Sequence, residues 1–178
     1  MAQDTDSGDS DFTHWVRTPG GDSHSRMVDV GHKPASQRSA TARARVRFPG
    51  GILARLLEQG GPKGPILEVS RVAGILASKR TSDLIPMCHP LGLDSVEIRF
   101  RPVGDSILEI ECQARVLART GVEMEAMVGA SLVGLTVYDM CKGVHKGIVI
   151  ESIELLEKSG GKSGTWRSSA APAAQEPG

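Results

Sequence analysis

Residues 95–143 read SVEIRFRPVGDSILEIECQARVLARTGVEMEAMVGASLVGLTVYDMCKG and hold the clearest structural pattern in the chain. Two runs, 95–102 and 107–117, predict strands that follow each other directly along the sequence. Gly104 and Asp105 lie between them, and this dipeptide is typical of a hairpin turn. The first half of the stretch therefore predicts a pair of antiparallel strands.

The second half of the same stretch predicts a long helix. Thr120 followed by Glu123 matches a capping box, in which the two side chains satisfy free backbone groups at a helix start. The helix would run to about Lys142 and end at Gly143. Because it is apolar nearly all round, we expect it to be buried on several sides.

Upstream, the sequence predicts one strand and two helices. The run ARARVRF, 42–48, alternates small or apolar residues with arginine, which is the period of a half-buried strand. A first helix begins near Ile52 and ends at Gly60. A second helix spans about 67–80, and its apolar face is predicted to be Val69, Val72, Ala73, Leu76 and Ala77.

An ordered loop, 81–93, and a last strand, about 147–156, complete the pattern. The fold class is α+β, and the order of elements matches the split β-α-β arrangement of ferredoxin-like domains once one extra helix is set aside. Such a domain has an antiparallel sheet with helices packed on one face. Apolar residues expected on the second face suggest that another subunit covers it.

The ends of the chain are polar and predict disorder. Residues 1–26 and the tail 165–178 are too poor in apolar residues to form a core, so a single catalytic domain, 27–164, is expected between them. The acidic N-terminus does not resemble a secretory signal, and no apolar run is long enough to span a membrane.

The charge and cysteine content narrow the function. Lysine plus arginine and aspartate plus glutamate both count 21, so the basic excess of a nucleic-acid binder is absent. Three widely spaced cysteines argue against a disulfide framework and fit reduced thiols in the cytoplasm. A ferredoxin-like nucleic-acid module would also need aromatic residues on its sheet, and aromatics are only 3% of the chain.

Two charged groups on the long helix are candidates for chemistry. Asp139 and Lys142 lie three residues apart on one helix face, either as an exposed ion pair of small energetic weight or as a pair that tunes the lysine for proton transfer. Glu123 and Glu125 begin the helix. They favour its capping and dipole, or they bind a guanine edge and move protons.

Three loops add further candidates. His89 lies between two prolines in PMCHP, 86–90, as a packed histidine or an acid–base group. Cys88 beside it is a weak metal signal, because no matching pair of ligands is present. KSGGKSG, 158–164, lacks the first glycine of a phosphate loop, which leaves an anion-binding nest or a flexible linker. Lys63, in GGPKGP, is either a solvated loop lysine or a site residue, and the role of Arg38 is equally ambiguous from its position alone.

These stretches together resemble the molybdenum cofactor biosynthesis protein C family, the cyclic pyranopterin monophosphate synthases. The resemblance covers about three-quarters of the chain. It is carried by MVDV (27–30), VAGILASKRTSDLIPMCHPL (72–91), TGVEMEAM (120–127), LTVYDMCK (135–142) and LLEKSGGKSG (155–164).

The resemblance implies a reaction and an assembly. The substrate would be the 3′,8-cyclised dihydro-GTP made by an upstream radical S-adenosylmethionine enzyme, with which a transient contact is expected. The products would be cyclic pyranopterin monophosphate and diphosphate. The sequence itself contains no metal or organic cofactor motif, so no cofactor is expected. The chain would form dimers, three of which make a hexamer, with the active site between subunits.

The resemblance also implies roles for individual residues. The catalytic group would be Asp139, with Lys142 beside it and Lys63 at the same pocket. The substrate would contact Met87, Cys88, His89, Glu123, Met124, Glu125, Arg38 and Lys158. A nucleotide sensor that binds without turnover is the competing hypothesis, and release of diphosphate separates the two.

Overall fold

The structure is a computed structural model and describes residues 15–18 and 20–171. Its strands are β1 (Trp15–Arg17), β2 (Ser23–Ser25), β3 (Ser36–Arg47), β4 (Ser95–Val103), β5 (Ile107–Ala118), β6 (Val149–Ser159) and β7 (Trp166–Arg167). Its helices are α1 (Ile52–Gln59), α2 (Ile66–Ser78), α3 (Thr81–Leu84) and α4 (Glu123–Cys141). Within the described residues, no helix is both long and apolar enough to cross a membrane.

The main sheet has the strand order β4-β5-β3-β6-β7, and every neighbouring pair is antiparallel. The fold is therefore α+β, and the predicted hairpin of β4 and β5 is confirmed. The central strand β3 begins at Ser36, six residues before the predicted start at position 42. Its polar first half is held by pairing with β5 along its whole length, which the apolar pattern alone does not reveal.

Alternation along β3 decides which face of the sheet is buried under the helices. Ala42, Ala44 and Val46 are fully buried and point towards α4, where Gly134 lies opposite Val46. Small alanines let α4 approach the sheet closely, which explains a core with few aromatic residues. Helices α2 and α4 pack together on this face.

The opposite face of the sheet is charged, and this corrects the expected apolar second face. Glu109 is 2% exposed and accepts hydrogen bonds from Arg45 and Arg101, while Arg43 lies 3.8 Å away. Arg43 also donates to Glu154 at 2.8 Å. The three arginines of ARARVR are two residues apart, so their side chains all lie on this side of the sheet. Carboxylates of β5 and β6 neutralise their charge there.

The predicted apolar face of α2 is wrong for Val69, Val72 and Leu76 and right for Ala77, because the helix is turned so that its small residues face α4. Its buried residues include Ser70, Gly74 and Ala77. A Cβ at Gly74 would lie 2.6 Å from Ile98 Cδ1 and closer still to Val133 Cγ2. The helices therefore pack too closely for larger side chains at these positions.

As a result, the larger apolar side chains of α2 face outward. Val69, Val72 and Leu76 are 41%, 55% and 52% exposed, respectively. They lie at spacings of three and four residues and form one continuous line along the helix, which we call the outer stripe. A helix that is apolar on both its inner and outer faces is typical of one buried on both sides.

The start of α4 also differs from the prediction. The residue that precedes the helix is Val122, and no side chain caps the first turn, so the predicted capping box is not formed. The Glu123 carboxylate instead lies 3.6 Å from Lys158 of β6. The predicted loop 81–93 contains the short helix α3 at its beginning.

Short strands form in both of the end regions that were predicted to be disordered. β1 and β2 pair with each other around the turn at Gly21, where φ is +90°, and β7 extends the main sheet beside β6. Backbone pairing orders these short segments, although they bury little apolar area. Residues 1–14 and 172–178 lie outside the described residues, and the domain limits 27–164 stay a prediction.

Candidate active site

Lys63 is presented at the tip of a tight loop between α1 and α2. Gly61 and Gly64 each donate a backbone hydrogen bond to the other, at 3.2 and 3.1 Å. Gly64 has φ +105°, a conformation that favours glycine. A Cβ at Gly61 would lie 2.7 Å from the Ile66 side chain, so the loop packs tightly against the start of α2. This rigid loop directs Lys63 towards the end of α4.

Asp139 lies between two lysines at that end of α4. Lys63 Nζ donates to Asp139 Oδ2 at 2.7 Å, and Lys142 Nζ lies 2.8 Å from Asp139 Oδ1. The pairing within α4 follows from the three-residue spacing, whereas Lys63 comes from 76 positions earlier in the chain. We call Lys63, Asp139 and Lys142 the lysine–aspartate cluster.

The electrostatics of this cluster favour an ionised carboxylate. Hydrogen bonds from Lys142 and then from Lys63 lower the pKa of Asp139 to about 2. The same contact raises the pKa of Lys142. Two ammonium groups around one carboxylate leave a net positive charge at neutral pH. All three side chains are about half exposed, so the cluster can receive an anionic ligand.

A cleft of about 450 Å³ lies at the other end of α4. Its volume lies in the range typical of small-molecule sites. The walls come from the segment after β2, the loop after α3 and the first turn of α4. They are formed by Val28, Val30, Lys33, Ile85, Met87, Cys88, His89, Leu91, Thr120, Gly121, Glu123, Met124 and Glu125.

His89 has a defined hydrogen bond in this cleft. Its Nε2 lies 2.8 Å from the backbone carbonyl oxygen of Val28. A carbonyl can only accept, so Nε2 carries the proton and Nδ1 is the acceptor in the neutral ring. The bond joins the loop after α3 to the segment after β2 and fixes the direction of the imidazole.

Burial favours the protonated forms of two neighbouring groups in the cleft, the Glu125 carboxyl and the Cys88 thiol. The pKa of Glu125 is raised by burial, with a smaller contribution from the negative charge of Glu123. Burial also raises the pKa of the Cys88 thiol, and Glu125 adds to this effect. Cys88 is therefore a poor nucleophile, and the Glu125 carboxylate takes up a proton more readily than a carboxylate in water.

Lys158 and Arg38 lie beside the cleft on the Glu123 side. Lys158 Nζ is 3.6 Å from Glu123 Oε1 and donates to Ser163 Oγ at 2.7 Å. The chain after β6 passes directly over the Arg38 guanidinium, where a Cβ at Gly161 would overlap it. Gly160 and Gly161 of KSGGKSG are thus required by this crossing, whereas the sequence alone left the segment as a nest or a linker.

Lys33 is a cleft residue that sequence analysis missed. It lies in a turn in which its backbone N–H donates to Val30 O at 3.0 Å. Asp29 Oδ1 accepts from the Gly31 N–H at 2.7 Å and orders the same turn. The signal available was this Asp-x-Gly turn, with the lysine two residues after the glycine.

The structure brings the expected site residues together in two groups rather than one. The lysine–aspartate cluster lies at the end of α4, and the cleft residues surround its beginning. Glu123 and Asp139 are 16 residues apart on this helix, which corresponds to about 24 Å. Within a single chain, the catalytic and substrate-binding candidates therefore do not share a pocket.

The described part of the chain contains no group of three or more histidine, cysteine, aspartate or glutamate side chains placed to hold a metal ion. The expectation of a reaction without a cofactor stays a prediction.

Comparisons with known proteins agree on one family. A family model described as the MoaC family matches residues 27–161. A cyclic pyranopterin monophosphate synthase of Novosphingobium aromaticivorans is 51% identical over 142 residues, which cover 80% of this chain and 90% of that protein. Proteins of the same name from Thermomicrobium roseum (51%, 80% of this chain and 86% of the relative) and Pelobacter propionicus (52%, 79% and 89%) are similarly close.

Proposed function

The chain belongs to the MoaC family, and from this premise we propose that it is a cyclic pyranopterin monophosphate synthase of molybdenum cofactor biosynthesis. It converts (8S)-3′,8-cyclo-7,8-dihydroguanosine 5′-triphosphate to cyclic pyranopterin monophosphate and diphosphate, as a phosphorus–oxygen lyase. One observation carries the proposal: Asp139 is held between Lys63 and Lys142 at 2.7 and 2.8 Å, at the positions that the family resemblance selects.

For the fold, we propose a ferredoxin-like arrangement, which is more specific than the α+β class. The succession β3-α2-β4-β5-α4-β6 follows the ferredoxin-like order of elements, and we propose a single catalytic domain over 27–164. The family match over 27–161 supports these limits. The protein would act in the cytoplasm, as dimers assembled into a hexamer.

The two separate groups of site residues support an active site formed by two subunits. A substrate held near His89 cannot reach the lysine–aspartate cluster about 24 Å away in the same chain. A neighbouring copy can supply the missing group. The complete site then has a cleft from one chain, closed by the cluster of the other.

In the complete site, the cluster would move protons during the rearrangement. The positive charge around Asp139 binds the triphosphate. Lys63 and Lys142 then donate and accept protons as the aminal carbon–nitrogen bond opens and the pterin ring closes. Asp139 orients both ammonium groups and stabilises their charged forms.

The last step releases diphosphate. A sugar hydroxyl attacks the α-phosphorus and loses its proton to a nearby base. The bond from the α-phosphorus to the bridging oxygen breaks, and that oxygen leaves with the diphosphate. Lysine side chains stabilise the charge that develops on the leaving group.

The cleft would recognise the ring system and the phosphates. Glu125 and Glu123 can accept hydrogen bonds from the guanine edge, and His89 Nδ1 faces a proton that the reaction exchanges. Lys33, Arg38 and Lys158 supply positive charge for the phosphates. Met87, Cys88 and Met124 give the apolar walls that exclude water.

Turnover of the cyclised GTP tests the proposal. The full chain is incubated with this substrate, and both diphosphate and the pterin product are measured. Lys63→Ala and Lys142→Ala should lower turnover at least about 100-fold, since positioned acid–base groups contribute factors of this size. Their circular dichroism should match the wild type, because both side chains are half exposed.

Lys146→Ala is the matched control. Lys146 lies four residues after Lys142, and within the described part of the chain only its backbone carbonyl is engaged, as an acceptor from Tyr138 at 3.5 Å. Its removal should leave turnover unchanged. Wild-type protein that binds the substrate without releasing diphosphate would be a sensor, and normal turnover in Lys63→Ala or Lys142→Ala would contradict the assigned roles.

A further inference from the structure

The outer wall of the cleft is a short irregular segment that joins β2 to β3. Val28, Val30 and Lys33 of this segment are half-buried and line the cleft, whereas the residues at 29, 31 and 32 are exposed. None of these residues belongs to the buried core, so apolar packing contributes little to holding them in place. We call residues 29–33, which end at Lys33, the cleft turn.

Two hydrogen bonds set the shape of the cleft turn from within. Asp29 Oδ1 accepts from the Gly31 N–H at 2.7 Å, and the Lys33 N–H donates to Val30 O at 3.0 Å. Both bonds join residues of the turn to each other. They order the backbone around Lys33, but they do not attach the turn to the rest of the domain.

Two side chains from other parts of the fold make that attachment. His89 Nε2 donates to Val28 O at 2.8 Å, just before the turn. Arg119 Nη1 donates to Gly31 O at 3.0 Å, in the turn itself and two residues before Lys33. His89 lines the cleft, whereas Arg119 is not among the residues that form its walls.

The sheet fixes the base of Arg119 on the opposite wall of the cleft. Arg119 directly follows β5, whose last residue, Ala118, pairs with Ser36 at the start of β3. It directly precedes Thr120 and Gly121, which line the cleft. Its side chain therefore joins the wall at the start of α4 to the turn that carries Lys33.

The contacts of Arg119 match a tether rather than a surface ion pair. Within the described residues, its hydrogen bond to Gly31 O is its one polar contact, and it forms no salt bridge there. A guanidinium keeps its charge throughout the physiological pH range, so it is always a donor to this carbonyl. The bond is thus a permanent link between two walls of the cleft.

We propose that Arg119 is a positioning residue for substrate binding, which holds the cleft turn in place and so directs the Lys33 ammonium at the phosphates of the substrate. The inference rests on the proposed function, in which Lys33 supplies positive charge for those phosphates. Without the tether, the turn has more conformations available, and the substrate binds only the fraction in which Lys33 faces the cleft. Binding is then weaker, and the chemical step is unchanged.

Steady-state kinetics with the cyclised GTP test the tether through KM. Arg119→Ala should raise KM about tenfold, as expected for the loss of a hydrogen bond from a charged donor, while kcat stays within about twofold. Arg119→Lys should recover most of this loss, because an ammonium can donate to the same carbonyl. An unchanged KM in Arg119→Ala, or a fall in kcat alone, would overturn the proposal.

Arg115→Ala is the matched control. Arg115 is an exposed arginine of the same strand that donates to Gln113 Oε1 at 2.6 Å, away from the cleft turn. Its removal takes away the same charge and should leave KM at the wild-type value. An equal rise of KM in Arg115→Ala and Arg119→Ala would show an effect of net charge and overturn the tether.

A double-mutant cycle with Lys33 separates positioning from direct contact. If Arg119 acts through Lys33, Arg119→Ala should raise KM little further in a Lys33→Ala background. If the guanidinium bound the phosphates itself, the two effects would multiply, and that result would overturn the positioning role.

Hydrogen exchange of the free protein tests the tether without turnover. In Arg119→Ala, the backbone amides of Gly31 and Lys33 should exchange faster than in the wild type and in Arg115→Ala. Faster exchange in a protein whose wild type releases no diphosphate would support the tether and contradict the proposed function. Wild-type turnover, with equal exchange and equal KM in Arg119→Ala, would contradict the tether alone.

Discussion

Replacing Gly74 with alanine should destabilise the protein, although alanine is normally the better helix former. The added Cβ would lie 2.6 Å from Ile98 Cδ1, closer still to Val133 Cγ2, and 3.2 Å from Gly129 O. Carbon atoms in contact are normally about 3.5–4.0 Å apart. Val133 cannot easily move away, because a β-branched side chain in a helix has one strongly preferred rotamer.

The magnitude follows from two opposing effects. Overpacking a close-packed interior costs about 1–3 kcal/mol, and the severity of this overlap places Gly74→Ala near the upper end. Replacing glycine with alanine inside a helix returns about 1 kcal/mol. The net loss is about 2 kcal/mol, which lowers Tm by about 4–8 °C for a chain of this size.

Gly134→Ala is the matched control, since its added Cβ meets nothing closer than 3.6 Å. It should raise the free energy of unfolding by up to about 1 kcal/mol. Thermal unfolding is followed by circular dichroism at one fixed protein concentration, because assembly adds to stability. In a double mutant, Val133→Ala should relieve part of the Gly74→Ala defect. A Gly74→Ala protein that melts with the wild type would refute the close packing of α2 on α4.

Two further predictions concern charged groups. The pKa of Asp139 is lowered from 3.8 to about 2, so its ion pairs stabilise the fold fully above pH 3.8 and are lost as the pH falls towards 2. The difference in Tm between wild type and Asp139→Asn should therefore shrink over this range, and a difference as large at pH 2 as at pH 5 would contradict the assignment. Glu109→Gln should cost about 2 kcal/mol in urea unfolding, because it removes the buried carboxylate charge that accepts hydrogen bonds from Arg45 and Arg101. The exposed Glu97→Gln should change stability by less than about 0.5 kcal/mol, and equal effects of the two variants would refute a buried network.

Local patterns in the sequence predicted the elements well, and contacts between distant residues explain what they missed. The β4–β5 hairpin follows from the turn residues between its strands. Helix α4 follows from a long apolar run that ends at a glycine. The outward face of α2 was misassigned because apolar size was taken as the sign of burial. Gly74 and Ser70 mark the buried face instead, since only small residues fit where two helices approach closely.

In the candidate site too, local spacing predicts some contacts, and the packed fold determines the others. The contact between Asp139 and Lys142 follows from helical spacing, whereas Lys63 meets Asp139 through a loop whose position depends on the packed fold. Lys33 was missed because its turn lies far in sequence from the predicted site residues that line the cleft, which begin at Met87. The predicted helix already places Glu123 and Asp139 at opposite ends, whereas the position of His89 beside Glu123 in the cleft depends on the packed fold.

Subunit complementation tests the two-subunit active site most directly. Lys63→Ala removes a catalytic group from the cluster, and His89→Ala removes one from the cleft, so each protein alone should be inactive. If the cluster of one chain serves the cleft of another, co-expressed variants form mixed pairs with one intact site each, and turnover should return to about a quarter of the wild-type value. Mixed assemblies that stay as inactive as the separate variants would show that each chain builds its site alone.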